Sequence, residues 1–97
     1  MKAKTLLHFC PEDGWVGDPM PMWHEGVCHL YYTKKRWDGQ VVWGHVSTAD
    51  YVHYTEYPDP LQCGGENDLD AQGICTGCVI YHDGLFRMFY AASDRFG

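Results

Sequence analysis

The chain repeats itself. Set against itself at an offset of 58 residues, MPMWHEGVCHLYYTKKRW (20–37) lines up with CVIYHDGLFRMFYAASDRF (78–96), which is one residue longer. His24, Glu25 and Gly26 fall on His82, Asp83 and Gly84, and Leu30, Tyr31 and Tyr32 fall on Met88, Phe89 and Tyr90. Each copy is a run of β-formers, an acidic residue followed by Gly, and then an alternating apolar run. That is the pattern of a β-hairpin closed by a tight turn.

Between the copies, residues 41–47 and 51–55 read as two further strands, separated by the turn-like Thr48, Ala49 and Asp50. Four antiparallel strands recurring at this period match the blade of a β-propeller, a fold that closes only with about four blades or more. The spacing therefore predicts an all-β chain of about one and a half four-stranded blades. Residues 1–62 make a first blade with a lead-in strand, and 63–97 an inter-blade loop and the start of a second. Residues 57–68, rich in Pro and Gly, show no strand pattern and are expected to be loop. No segment has the 3.6-residue apolar period of a helix. A lone blade and a half would leave apolar sheet faces uncovered, so the chain has the character of an incomplete domain.

Composition narrows the classes of function. Aromatic residues are 15% and charged residues 21% of the 97, which excludes disorder through low hydrophobicity. A net charge of −6 argues against a nucleic-acid partner, which needs clustered Lys and Arg to displace counterions. The one basic run, Lys34, Lys35 and Arg36, reads as a solvated hairpin end. No apolar run approaches the ~20 residues that span a bilayer, and the opening MKAKTLLHFCPEDG holds too short an apolar segment for a secretory signal. These features set a cytoplasmic expectation. Five cysteines (Cys10, Cys28, Cys63, Cys75, Cys78) at irregular spacing do not form a disulfide framework and are expected as small buried residues.

Four segments, in order, then carry a resemblance. Residues 8–19, HFCPEDGWVGDP, resemble the strand and WMNDPNG motif that open glycoside hydrolases of family 32. GVCHLYYT (26–33) resembles that family's YHLFYQ strand, WGHVSTADYVHY (43–54) its WGHAVSxDLVHW element, and DAQGICTGCVI (70–80) its DxxGxWSGSAV element. The form WVGDPMP, taken with CGGENDLDAQGICTGCVI, is similar to family 43 proteins as well. The chain departs from the family 32 pattern in three places: Gly17 stands for Asn, Met20 and Pro21 for Asn-Gly, and Thr33 for a Gln that helps hold the sugar. The resemblance implies a five-bladed propeller glycosidase, acting on fructosyl or related furanoside or pyranoside linkages, more firmly than it implies one sugar.

Breaking a glycosidic bond takes two carboxyl groups, one to protonate the leaving oxygen and one to attack or to activate water. By resemblance Asp18 is the second, a nucleophile in a retaining enzyme of the family 32 kind or a general base in an inverting enzyme of the family 43 kind. Gly17 before it and Pro19 after it predict a constrained bend just ahead of the innermost strand. A structural role for Asp18, accepting backbone hydrogen bonds in a turn, is the plain alternative. Trp15, Trp43 and His45 are candidates for a sugar-binding wall, with core packing as the competing role. Trp23 and Trp37 read as packing or hairpin-end residues. Thr76 falls where the family has a substrate-reaching Ser. Six histidines could titrate near neutrality, and although no spacing marks any of them as an acid or base, His8 and His45 are the two to watch. Asp13, Asp50, Asp59, Asp68 and Asp70 read as turn or loop residues.

In these families the general acid and a further carboxylate come from later blades, in Arg-Asp-Pro and Glu-Cys motifs absent here. The 97 residues are therefore not expected to turn over substrate alone, since proton donation to the leaving group contributes about 10²- to 10⁴-fold. The expected partners are a carbohydrate substrate and the remaining propeller blades, with no nucleic acid, no membrane and no cofactor. Two alternatives stay open. One is a propeller that binds sugar without cleaving it. The other is a zinc module built on Cys63, Cys75, Cys78 and His82, although strand alternation would turn Cys75 and Cys78 to opposite faces.

Overall fold

The computed structural model describes residues 2–5, 9–64 and 73–93, whose regular structure is entirely strand. β1 (Lys2–Thr5), β2 (Gly14–His24), β3 (Val27–Arg36), β4 (Val41–Thr48) and β5 (His53–Leu61) form an antiparallel sheet in the order β1-β5-β4-β3-β2. β6 (Gly73–His82) and β7 (Leu85–Ser93) form a second sheet of two strands. Strands β2 to β5 are thus the expected four-stranded meander. β1 adds itself outside β5, pairing Lys2 to Glu56 through Thr5 to His53. The next unit begins with β6 and β7.

The two hairpins turn alike. Glu25 and Gly26 have φ of 49° and 77°, and Asp83 and Gly84 have φ of 51° and 76°. Two successive left-handed residues make the type I′ turn, whose twist matches that of the flanking strands, and an acidic residue before Gly accepts it at little cost.

They also break register at the same place. β2 takes three steps from Val16 to Pro19 while β3 takes two, from Lys34 to Tyr32. β6 takes three from Ile74 to Gly77 while β7 takes two, from Ala92 to Tyr90. Each break is a bulge in which two residues oppose one. Gly17 and Asp18 lie opposite Thr33, and Cys75 and Thr76 lie opposite Ala91.

The core lies where the second hairpin covers the first sheet. Met20, Met22, Tyr31 and Trp43 from the sheet meet Ile74 and Val79 from β6, with Leu61 and Met88 packed against them. On the sheet's other face Tyr32, Val42 and Val46 are fully buried, and Phe9 lies against Tyr32 and Tyr54. β4 is consequently buried on both faces, which is why its sequence reads as a nearly continuous apolar run.

Four local expectations need correcting. Residues 57–61 are strand, not loop, because β5 runs to Leu61. Pro58 and Pro60 lie beyond the stretch of β5, His53–Glu56, that pairs with β1 among the described residues, and proline is confined to such edge positions of a sheet. Tyr51 and Val52 are not strand. Tyr51 has φ of 61°, its N–H bonds the Thr48 hydroxyl at 2.8 Å, and the Asp50 carboxylate accepts from the Val52 and His53 amides at 2.9 and 2.8 Å. These short-range acceptors outcompete the ladder and delay β5. Only Cys28 of the five cysteines is buried, and none of the five is in a disulfide.

The fourth correction concerns the basic run. Alternation sends Lys35 outward, but puts Lys34 and Arg36 on the opposite face, beneath Asp13 and Asp59. Lys34 is 4% exposed and its ammonium bonds Asp13 at 2.9 Å and Asp59 at 2.8 Å, while Arg36 bonds Asp59 at 2.6 Å. The hydrogen bond from Lys34 holds the Asp13 carboxyl below the usual carboxylate range. Burial pulls the Lys34 ammonium down, but its bonds to Asp59 and Asp13 outweigh that and keep it raised. Asp13 and Asp59 are thus counter-ions that tie the entry to β2, β3 and the end of β5 together.

Candidate active site

Asp18 stands inside β2, in its bulge, rather than on a bend ahead of the strand. Pro19 has no N–H to give a ladder, and Gly17 allows the close approach of β3 that the extra residue demands. A Cβ on Gly17 would stand 2.2 Å from Thr33 Oγ1, so no larger residue fits there with Thr33 as placed. The Asp18 N–H, turned out of the ladder by the bulge, donates to Thr33 Oγ1 at 2.8 Å.

The Asp18 carboxylate turns toward the second unit. Thr76 Oγ1 donates to Asp18 Oδ2. Both residues remain exposed. The neighbouring groups of the second bulge bind the first sheet too: the Gly77 N–H meets Met20 Sδ at 3.1 Å, and the Cys75 carbonyl accepts from Trp43 Nε1 at 3.0 Å.

The other expected site residues are scattered. Trp15 is 59% exposed and meets Trp37 edge-on at 4.6 Å, three positions before Asp18 on the same strand. Trp37 is fixed in turn by its indole N–H, which donates to the Glu12 carbonyl at 2.9 Å. Trp43 is fully buried, and His45 shares its face of β4, the face that the second hairpin covers. The His45 ring is stacked between Tyr31 at 4.2 Å and Tyr57 at 4.4 Å, and its Nε2 lies 3.0 Å from His29 Nδ1. Burial, with His29 beside it, pulls His45 down to about 4, so the ring is neutral near pH 7. Neither Trp43 nor His45 offers a free ring face, and in this chain both are packing residues. Trp23 is 61% exposed on β2. His8, Asp68 and Asp70 lie outside the described residues.

Among the described residues no group of three or more His, Cys, Asp or Glu side chains is placed to hold a metal ion. A concavity of about 410 Å³ lies over Asp13, Lys34, Glu56 and Asp59 rather than over Asp18. Three of its charges, Asp13, Lys34 and Asp59, are already bonded together. The residue missed by sequence reasoning is Thr33, which was visible only as a departure from a familial Gln. Thr76, which donates to Asp18, is the residue that the 58-residue offset aligns with it.

Comparison with known proteins decides the family. The model of the glycosyl hydrolases family 32 N-terminal domain matches residues 8–96. The chain belongs to family 32. Of the two families that its motifs resemble, this one accounts for almost the whole chain. A family 32 chain of this kind is also similar to an acid β-fructofuranosidase of Vicia faba, 33% identical over 95% of this chain and 15% of that protein. Its fold matches the crystal structure of fructan 1-exohydrolase IIa from Cichorium intybus with a TM-score of 0.74 and 26% identity, over 92% of this chain and 17% of that one. It matches β-fructofuranosidase from Schwanniomyces occidentalis, complexed with fructosyl-erythritol, with a TM-score of 0.62 and 29% identity, over 79% of this chain and 16% of that one. The chain spans about a sixth of the length of these relatives.

Proposed function

We propose that the protein acts as a glycoside hydrolase on fructosyl or related furanoside or pyranoside linkages, with Asp18 as its reacting carboxylate. The observation that carries this reading is the placement of Asp18 in a bulge, exposed and held at both its amide and its carboxylate, within the segment that matches family 32. The names of the relatives, acid β-fructofuranosidase and fructan exohydrolase, support a fructoside as the substrate.

Family membership favours the nucleophile role for Asp18 over the general-base role. The carboxylate then attacks the anomeric carbon as the glycosidic C–O bond breaks, and the leaving oxygen takes a proton from an acid outside these 97 residues. Water, deprotonated by that same group, releases the sugar from Asp18. Asp13 and Asp59 are poor candidates for the acid because both are paired to Lys34. Of the expected wall residues, Trp15 keeps its place, since its ring is open to a sugar face.

The test is Asp18→Asn in the full-length enzyme, assayed on fructosides, arabinosides and xylosides. Loss of turnover by about 10⁴-fold or more on one class is the expected result and names the sugar. Unchanged turnover on all three overturns the assignment.

A further inference from the structure

The two bulges supply an internal control on what Asp18 needs. Both hairpins make the same register break, so the backbone irregularity is a property of the repeat. In the second bulge the opposing residue is Ala91, which has no hydroxyl, and the first bulge residue is Cys75. In the first bulge the opposing residue is Thr33 and the first bulge residue is Gly17. A bulge of this geometry therefore forms without a side-chain acceptor. The hydroxyl of Thr33 is present only where the second bulge residue is Asp18.

The Gly17 and Thr33 pair is also sterically linked. The Thr33 Oγ1 that accepts the Asp18 N–H occupies the volume that a Cβ at 17 would take, at 2.2 Å. At the first bulge Gly17 and Asp18 lie opposite Thr33, and at the second Cys75 and Thr76 lie opposite Ala91. Only the first arrangement gives the amide of its second residue a side-chain acceptor.

We propose that Thr33 is a positioning residue for Asp18, acting through the Asp18 main-chain amide, and that Gly17 is retained to make room for it. The role of Asp18 in the reaction is taken from the function proposed above; the contact and its coupling to Gly17 are not. With the amide held by Thr33 and the carboxylate by Thr76, the side chain keeps one aim while substrate binds and leaves. An unsatisfied amide would let the bulge rearrange, and a misplaced reacting group loses rate far more than affinity.

The experiment has two arms. In the full-length enzyme, Thr33→Val lowers kcat roughly tenfold to hundredfold with KM within about twofold, while Thr33→Ser stays within about threefold of the parent. Independently of activity, the Asp18 amide of the full-length enzyme exchanges its proton roughly tenfold faster in Thr33→Val but not in Thr33→Ser, followed by hydrogen-exchange mass spectrometry of peptides that span it. For the coupling, Gly17→Ala raises the unfolding equilibrium constant at least tenfold in the parent and by about threefold or less in a Thr33→Ala background, which mimics the second bulge.

Equal kcat for Thr33→Val and the parent, equal losses for the Val and Ser variants, or additive effects of Gly17→Ala and Thr33→Ala each overturn the proposal. Should Asp18→Asn leave turnover intact, the catalytic reading of Asp18 falls. The exchange and coupling results would still show whether Thr33 holds that amide.

Discussion

The hydroxyl of Thr76 donates to the carboxylate of Asp18, a residue 58 positions earlier and at the equivalent point of the repeat. Strands β2 and β6 thus meet through the same bulge position, one supplying the carboxylate and the other a donor for it.

Removing that donor should weaken turnover without unfolding the protein, because both groups are exposed. Thr76→Val in the full-length enzyme is expected to lower kcat/KM by roughly tenfold to hundredfold, the worth of about 1.5–3 kcal/mol for a hydrogen bond to a charged group. Thr76→Ser should recover most of it. Steady-state kinetics on the best substrate of the three classes decides the matter, and a silent Thr76→Val would show that the contact does not matter to the reaction.

Lys34 is expected to be the most sensitive charged position for stability. Its ammonium is almost wholly buried between Asp13 and Asp59. Lys34→Met leaves Asp59 with Arg36 alone and Asp13 with no counter-ion from Lys34, at a cost of roughly 3 kcal/mol, the low end for breaking a buried pair because Arg36 remains. Asp59→Asn should cost more than Asp13→Asn, since the Asp59 side chain is 10% exposed and that of Asp13 is 56% exposed. Urea denaturation of the three variants gives the order.

The stacked histidine predicts acid sensitivity. His45 is held near 4 in the folded chain against 6.5 unfolded, so between those values the unfolded state binds the extra proton. Its contribution to stability is complete above pH 6.5 and is lost as pH falls toward 4. The groups around it do not reverse the sign: Tyr31, pushed up by burial, carries no charge there, and His29, itself lowered by burial, adds repulsion when charged. Thermal unfolding of the parent and of His45→Gln at pH 7, 5.5 and 4 should show a flatter decline in the variant, by up to about one proton in the linkage slope. Parallel curves would place the acid sensitivity elsewhere.

The sequence made the hairpins legible because the repeat marks both at once. Glu25-Gly26 and Asp83-Gly84 state a turn in two residues, and the alternation on either side of each states the strands. It was silent where a short-range or long-range partner decides. Tyr51 is a β-former by type, yet Thr48 and Asp50 capture the local amides. Pro58 and Pro60 read as loop until the limit of β1 is known. The run of Lys34 to Arg36 reads as solvated until Asp13 and Asp59 are seen to face it. At the site, Asp18 was legible from its motif, but its two hydroxyl partners were not legible as partners. Thr33 and Thr76 lie 15 and 58 residues away, and neither spacing announces a contact.

The clasp made by Cys75, Thr76 and Gly77 on Trp43, Asp18 and Met20 joins two sheets that share no ladder. One extra residue in β6 is what frees those groups to reach sideways. Restoring regular pairing by deleting it would leave each sheet better knitted in itself and would cut the stitches between them. The irregularity is the seam along which one unit learns where the other stands.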